Sequence, residues 1–265
     1  MPQFNGLNVY SGCMSNLTIP GLRRFNLIAG VVHLLQMAAV LALSTDFSLP
    51  VTATYMAGPP GSVFADSIVV FETPLALAVA LFLGLSALAH FIVASPQFFE
   101  RYGTGLEAKR NYFRWVEYSI SSSVMIVLIA QITGIADITA LVAIFGVNAS
   151  MILFGWLQEK YEQPGNGGWV PFIFGCITGI VPWLAVAIYV IAPGNPSTES
   201  APGFVYGIIA TIFILFNSFA WVQYKQYQAK GKWSNYLHGE RIYIILSLVA
   251  KSLLAWQIFA NTLIP

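Results

Sequence analysis

A single lysine lies in the middle of the last apolar stretch of the chain. This stretch, residues 239–263, is long enough to cross the hydrocarbon core of a bilayer as one helix, and Lys251 lies about 18 Å from its start. An ammonium group at that depth is costly unless it loses its proton, pairs with a carboxylate or is capped covalently. A lysine that only extends to the membrane surface would lie near a helix end. The position therefore indicates a functional amine.

The third apolar stretch offers such an amine a partner. Glu117 is the only carboxylate predicted inside an apolar stretch rather than at an end or in a loop. Two cations are candidates for keeping it ionised: Lys251, and Arg114, which lies three residues earlier on the same helical face. A local pair between Arg114 and Glu117 at a helix end is the simpler alternative. In either case we expect a buried carboxylate beside a cation.

Two histidines are predicted at a similar depth, in the half of the bundle that faces the basic loops. A lone intramembrane histidine often only bonds to a neighbouring helix, but His33 and His90 lie on adjacent stretches and indicate a shared cavity that takes up a proton. No chain of carboxylates leads from Lys251 to either surface, which argues against a proton pump. The other polar residues predicted in this half are Gln36, Ser86, Tyr118, Ser121, Ser122, Gln223 and Ser247.

Membrane-spanning helices must position these residues. The chain of 265 residues is 57% hydrophobic and 9% charged, as is typical of a membrane protein in a lipid bilayer. Mostly short connectors predict an all-α, seven-helix transmembrane bundle over residues 23–265, preceded by a polar N-terminal segment, residues 1–22. The seven predicted spans are residues 24–44, 71–95, 112–134, 138–158, 169–192, 203–227 and 239–263.

The longest connector and the basic residues predict the topology. Residues 45–70 contain the Gly-Pro-Pro-Gly sequence at 58–61 and two β-favouring pieces, 51–55 and 67–71, so we expect a short β-hairpin. All but one of the 12 Lys and Arg residues fall on one side when the spans alternate, the exception being Lys251. The positive-inside rule then predicts a multi-pass protein of the cell membrane with a cytoplasmic N-terminus, an extracellular C-terminus and an extracellular hairpin.

Several classes of function lack support in the sequence. A net charge of +1 argues against a nucleic-acid partner, which favours a basic surface. The two cysteines, Cys13 and Cys176, fit neither a disulfide framework nor a metal site. The chain contains no CxxC, HExxH, P-loop or dinucleotide-binding motif, so we expect neither an enzyme nor a bound metal.

The combination of seven spans, a lysine in the seventh and a carboxylate in the third is similar to the retinal-binding rhodopsins. The predicted inside N-terminus is opposite to that of most of them and resembles the heliorhodopsins. Four segments carry that resemblance, which extends over residues 25–265: RWVEYSISSSVMIVLIAQ at 114–131, IFGVNASMILFGWLQEKY at 144–161, GKWSNYLHGER at 231–241 and LSLVAKSLLAWQ at 246–257.

The resemblance implies that Lys251 binds all-trans retinal as a protonated Schiff base, that light isomerises it to 13-cis, and that Glu117 is the counter-ion. It places Ser86, Ser122 and Ser247 near the Schiff base. It implies that the polyene and ring are lined by Asn148, Met151, Trp183 and Phe216. The residues assigned to the cavity that handles the proton are His33, His90, Gln36, Tyr118 and Arg114.

The resemblance also implies a homodimer through the fourth and fifth spans and the loop at 45–70. The GxxxG at Gly175 and Gly179 permits close helix approach, within the bundle or across such an interface. A sensory or regulatory role with a cytoplasmic signalling partner is favoured. Two alternatives stay open: a light-gated ion or proton channel that uses the histidine cavity as half a pore, and a retinal-free membrane enzyme or transporter with Lys251 as a base.

Overall fold

The computed structural model describes residues 17–191 and 202–264. Over these residues the chain forms eight α-helices and one two-stranded antiparallel sheet, and every helix except α3 is long and apolar enough to cross a membrane. The prediction of seven spanning helices with a small hairpin between the first two is confirmed. Residues 1–16, including Cys13, lie outside the described residues. The elements are α1 (Ile19–Leu43), β1 (Ser48–Ala53), β2 (Ile68–Pro74), α2 (Leu75–Ala94), α3 (Pro96–Glu107), α4 (Tyr112–Ile132), α5 (Ile138–Tyr161), α6 (Val170–Ile191), α7 (Gly203–Gln228), a 3₁₀ turn (Gly231–Ser234) and α8 (Tyr236–Ile258), which continues as a π-helical turn (Phe259–Leu263).

Helix α1 begins earlier than the hydropathy pattern predicts. Thr18 caps it by accepting a hydrogen bond from the Gly21 amide at 3.2 Å, and Pro20 occupies the first turn, where its missing N–H costs nothing. Ile19–Leu22 are therefore helical, although they fall in the segment predicted to be a polar extension. The basic pair that follows them interrupts the apolar run and hid the cap.

The sequence predicts a short connector between the second and third spans. In the structure this connector contains a helix, α3. Ser95 and Pro96 form a helix start signal that the hydropathy pattern did not reveal. The buried face of α3 includes Tyr102 and Leu106, which pack with Tyr236 at the start of α8. Helix α3 thus covers one end of the bundle and places the Tyr102 hydroxyl inside it.

The hairpin closes the opposite end of the bundle. Its strands pair from Ser48 with Pro74 to Ala53 with Ile68, so β1 begins before the predicted piece and β2 runs directly into α2. The Thr52 amide donates to the carbonyl of Ala136 at 2.8 Å, which ties β1 to the loop before α5. We call this end, where α1, α4 and α8 finish, the hairpin end.

The other end carries the basic connectors, and we call it the basic end. Arg23 on α1 donates through Nε to the carbonyl of Ala94 at the end of α2, at 2.8 Å. The amide of Gly165 donates to the carbonyl of Tyr227 at 2.9 Å, which joins the α5–α6 connector to the end of α7. The largest apolar core lies towards the hairpin end, and the buried polar side chains gather towards the basic end.

Candidate functional site

The predicted functional amine lies inside the bundle and is paired. Lys251 is 3% exposed, and its Nζ donates to Glu117 Oε1 at 2.7 Å and to Ser247 Oγ at 3.0 Å. Nζ also lies 5.0 Å from the centre of the Tyr118 ring, where the negative face of the ring attracts a cation. Of the two cations considered for Glu117, the structure pairs it with Lys251.

Glu117 joins three helices at this point. Its Oε1 accepts hydrogen bonds from Lys251 on α8 and from Ser86 Oγ on α2, the latter at 2.7 Å. The Glu117 side chain is 9% exposed, whereas Ser86 and Ser121 beside it are essentially inaccessible. A carboxylate in this position is stabilised by an ion pair and by charge-assisted hydrogen bonds, which offset the cost of burying its charge.

A cavity of about 270 Å³ opens beside the amine. Its walls are mainly apolar and aromatic, and the Trp183 ring stands edge-on to Phe213 and Phe216, with centroid distances of 5.1 and 5.6 Å. Such a space suits an elongated apolar molecule that is held by one polar end. The residues of the predicted site that line it are Lys251, Ser247, Tyr118, Ser122, Met151, Trp183 and Phe216.

Asn148 contributes to this site indirectly. The structure places it behind the cavity wall, where its Nδ2 donates to Ser122 Oγ at 2.9 Å and to Ser123 Oγ at 3.0 Å. Ser122, which lines the cavity, in turn donates to the Tyr118 carbonyl at 2.7 Å. Asn148 therefore holds α4 to α5 and orients Ser122, rather than lining the cavity as expected.

The two histidines are brought together. The rings of His33 and His90 stack with centroids 5.7 Å apart and planes 12° apart, and His33 is fully buried. His90 Nδ1 lies 2.7 Å from Asn26 Oδ1 on α1, whereas neither ring nitrogen of His33 has a hydrogen-bond partner among the described residues. The predicted proximity of the histidines is therefore present, and Asn26 is an unpredicted member of the group.

A second, smaller cavity of about 40 Å³ lies between the ion pair and the basic end. It is large enough for a small number of water molecules, and most of the residues that line it are polar or charged. Of the residues assigned to the proton cavity, His33 and Gln36 do not line it; His33 lies behind His90, and Gln36 is half-buried on α1. The polar and charged residues that line it are Asn26, His90, Tyr102, Asn111, Arg114, Glu117, Tyr118, Glu240 and Tyr243.

The proposed pair between Arg114 and Glu117 is wrong. The Arg114 guanidinium forms ion pairs with Glu159 on α5 and Glu240 on α8, and the side chains of all three are at most 3% exposed. Glu159 and Glu240 lie near helix ends, as the sequence predicts, but both side chains are buried, so Glu117 is not the only buried carboxylate of the bundle. Glu240 lies between Lys251 and the basic end, so carboxylates are present on that side after all.

Further hydrogen bonds complete this ionic cluster, which we define as Arg114, Glu159 and Glu240. Asn111 caps α4 through Oδ1, and its Nδ2 donates to Glu240 Oε1 at 2.6 Å. Tyr102 on α3 donates to Glu240 at 3.3 Å, and Tyr236 donates to Glu159 at 2.8 Å. The cluster thus joins α3, α4, α5 and α8 at the basic end.

Helical spacing contained a signal for both missed carboxylates. Glu240 lies eleven residues before Lys251 on α8, and Glu159 lies eleven after Asn148 on α5. Because about 3.6 residues make a turn, a separation of eleven residues returns to the same face after three turns. Each carboxylate therefore shares a face with a buried polar residue, and its place near a helix end concealed this.

Metal ligation finds no support in the part of the chain that the structure describes. No group of three or more His, Cys, Asp or Glu residues there is arranged to hold an ion. Cys176, the cysteine within the described ranges, is free and exposed on α6. The chemistry available at the site is that of one amine, its carboxylate and their polar neighbours.

Comparison with known proteins identifies the family of the chain. No curated protein matches the chain. The model of the family described as Heliorhodopsin matches residues 22–263, a range that includes Lys251, Glu117 and nearly all of the spanning helices. The chain therefore belongs to the heliorhodopsin family and is a multi-pass, retinal-binding, light-sensing rhodopsin.

Proposed function

We propose that this protein is a photoreceptor in which Lys251 carries all-trans retinal as a protonated Schiff base and Glu117 is the counter-ion. The observation that carries the proposal is a buried amine that lines a cavity of about 270 Å³ and lies 2.7 Å from a carboxylate. Bound there, retinal would supply the visible absorption and the light-driven isomerisation from all-trans to 13-cis.

The residues around the cavity fit such a group. The apolar walls around Trp183 and Phe216 would hold a flat polyene and its ring, and Met151 would pack against it with a flexible side chain. Leu254 and Ile258, one and two turns beyond Lys251, are fully buried and would exclude water from the hairpin side. The Ser247 hydroxyl would keep the Lys251 nitrogen in position by a hydrogen bond, and the Ser86 hydroxyl would do the same for the Glu117 carboxylate.

The polar groups supply a direction for proton movement. In the dark, Glu117 would hold the proton at Lys251 Nζ by charge attraction. After light absorption, that proton would leave Nζ towards the small cavity on the basic side, which His90 lines. Neutralising the ion pair would remove the charged contact between α4 and α8, and the resulting change in helix packing is the signal that we propose.

A sensory role is favoured over ion pumping by the asymmetry of the bundle. On the hairpin side of Lys251 the interior is mainly apolar: Met125, Ile129 and Leu254 are at most 2% exposed, and the buried Gln131 donates to Thr73 of the hairpin. Within the described residues, the small cavity and the ionic cluster lie on the basic side alone. A light-gated channel would need a polar path through the apolar half. Recording from voltage-clamped cells under illumination tests this alternative: no photocurrent is expected, and a photocurrent would favour the channel.

The orientation and the assembly belong to the same proposal. The basic end would face the cytoplasm and any signalling partner, following the positive-inside rule. Gly175 and Gly179 pack against Phe154 and Met151 of α5, so the GxxxG is used within the bundle. A homodimer would instead use the outer faces of α5 and α6 with the hairpin, where β2 is almost entirely exposed. Native mass spectrometry in mild detergent tests it: a dimer is expected, and a monomer alone would contradict it.

Absorption spectroscopy tests the photoreceptor proposal. Protein expressed with all-trans retinal is expected to show a visible band that Lys251→Ala lacks and that Lys225→Ala, a basic-end control, retains. Absence of the band from all three proteins would overturn the proposal. A band that persists in Lys251→Ala would move the attachment to another residue.

A further inference from the structure

We propose that Asn26 is a positioning residue that fixes the tautomer of His90, so that a proton leaving Lys251 is accepted at His90 Nε2. The route of the proton rests on the proposed function. The tautomer rests only on contacts within this chain, between α1, α2 and α3.

The orientation of the Asn26 amide follows from its neighbours. Its Nδ2 lies 2.9 Å from the carbonyl oxygen of Leu22 and 3.3 Å from the Tyr102 hydroxyl, and Asn26 is 3% exposed. A backbone carbonyl only accepts hydrogen bonds, so the NH₂ group of the amide must face Leu22. The amide oxygen must then face His90.

The position of the histidine proton follows from that orientation. Asn26 Oδ1 lies 2.7 Å from His90 Nδ1, and an amide oxygen has no hydrogen to donate. His90 Nδ1 must therefore carry the hydrogen, which leaves the lone pair of the neutral ring at Nε2. A proton that arrives at Nε2 makes the ring cationic without breaking the bond to Asn26, and this bond strengthens because its donor is now charged.

The same contacts distinguish His90 from His33. His33 has no hydrogen-bond partner among the described residues, so a charge on its ring would be buried without a stabilising bond. The two stacked rings, 5.7 Å apart, would repel each other if both were charged, so the pair takes up one proton. The charged and titratable groups that surround His90 are His33 on α1, Tyr102 on α3, Glu117, Arg114 and Tyr118 on α4, and Lys251, Glu240 and Tyr243 on α8.

Nitrogen NMR of protein labelled with ¹⁵N-histidine tests the tautomer, without retinal and in the dark. The His90 signals, identified by their loss in His90→Gln, are expected to show a hydrogen on Nδ1 and a bare Nε2. Asn26→Asp keeps an accepting oxygen and should keep the hydrogen on Nδ1. Asn26→Leu removes the acceptor, and the hydrogen should move to Nε2, the site that free imidazole side chains prefer. A hydrogen on Nε2 in the unaltered protein, or no change in Asn26→Leu, would overturn the proposal.

Flash photolysis tests the functional part in the retinal-bound protein. Loss of the proton from Lys251 Nζ shifts the visible band to the blue, and Asn26→Leu should slow that step by about tenfold or more, with Asn26→Asp restoring it. An unaltered rate in Asn26→Leu would overturn the assignment of Nε2 as the acceptor. If neither the unaltered protein nor any variant forms a visible band, the photoreceptor proposal fails, and the assignment of Nε2 as the acceptor fails with it. The NMR experiment still decides the tautomer of His90.

Discussion

Removing Arg114 should destabilise the protein far more than removing an exposed cation. The guanidinium is the charge that pairs with both Glu159 and Glu240, whose side chains are 0% and 2% exposed. Replacement by Met keeps much of the side-chain volume but leaves two carboxylates in the interior without their cation. Each carboxylate must then either stay charged in the interior, with neither water nor a cation to stabilise it, or take up a proton.

The size of the effect can be estimated from buried ion pairs in general. Removing one partner of such a pair costs about 3–5 kcal/mol, because the other charge is left unpaired. For a protein of this size, 1 kcal/mol lowers the melting temperature by about 2–4 °C. We therefore expect Arg114→Met to melt about 6–20 °C below the unaltered protein. Arg101 on α3 is exposed, so Arg101→Met should change the melting temperature by no more than about 2 °C.

A charge-balanced variant separates the ionic effect from lost packing. Arg114→Met combined with Glu159→Gln and Glu240→Gln removes the cation and both anions, and should recover much of the lost stability. The measurement is thermal unfolding in detergent, followed by circular dichroism at 222 nm. Equal melting temperatures for Arg114→Met and Arg101→Met would refute the reasoning, as would a triple variant less stable than Arg114→Met.

Three further predictions concern single positions. Glu117→Gln removes the negative charge beside Lys251 and should move the visible band to the red or abolish it in the dark, whereas an unchanged absorption spectrum would contradict the counter-ion assignment. The Thr139 hydroxyl holds the pKa of the Asp137 carboxyl below its ordinary value. The charged carboxyl therefore stabilises the start of α5 at a pH above the ordinary pKa, and this stabilisation is lost as the pH falls through the lowered pKa. Asp137→Ala should accordingly melt lower than the unaltered protein at neutral pH, and a difference that does not shrink in acid would contradict this. Gly155→Ala places a methyl group against the Trp115 ring, which lines the large cavity. Displacement of the ring should lower the melting temperature and shift the visible band. An unchanged melting temperature together with an unchanged band would contradict this prediction.

Local patterns explain why the central pair could be predicted from the sequence. A lysine in the middle of an apolar stretch has few ways to be accommodated, and Glu117 stood out as a carboxylate at a matching depth. Ser247 precedes Lys251 by one turn, so their contact follows from helix geometry alone. The seven helices and the hairpin also follow from local signals, namely apolar length and the Gly-Pro-Pro-Gly sequence between two β-favouring pieces.

The partner of Arg114 depended on long-range packing that no local pattern encodes. Spacing along α4 made Glu117 its nearest candidate, but the side chain turns towards Glu159 on α5 and Glu240 on α8, which lie far away in the sequence. Asn26 escaped notice for the same reason, since its role depends on the meeting of α1 with His90 and Tyr102. Helix α3 could not be predicted from hydropathy, because its amphipathic sequence lacks the long apolar run of a spanning helix.

Chemical trapping of the chromophore tests the central claim most directly. Borohydride reduces the linkage between an aldehyde and an amine to a stable secondary amine, so protein expressed with all-trans retinal can be reduced, digested and analysed by mass spectrometry. We predict a retinyl group on Lys251 alone, absent from protein prepared without retinal. A retinyl group on another lysine, or none on a protein that shows a visible band, would contradict the assignment of Lys251 as the attachment site.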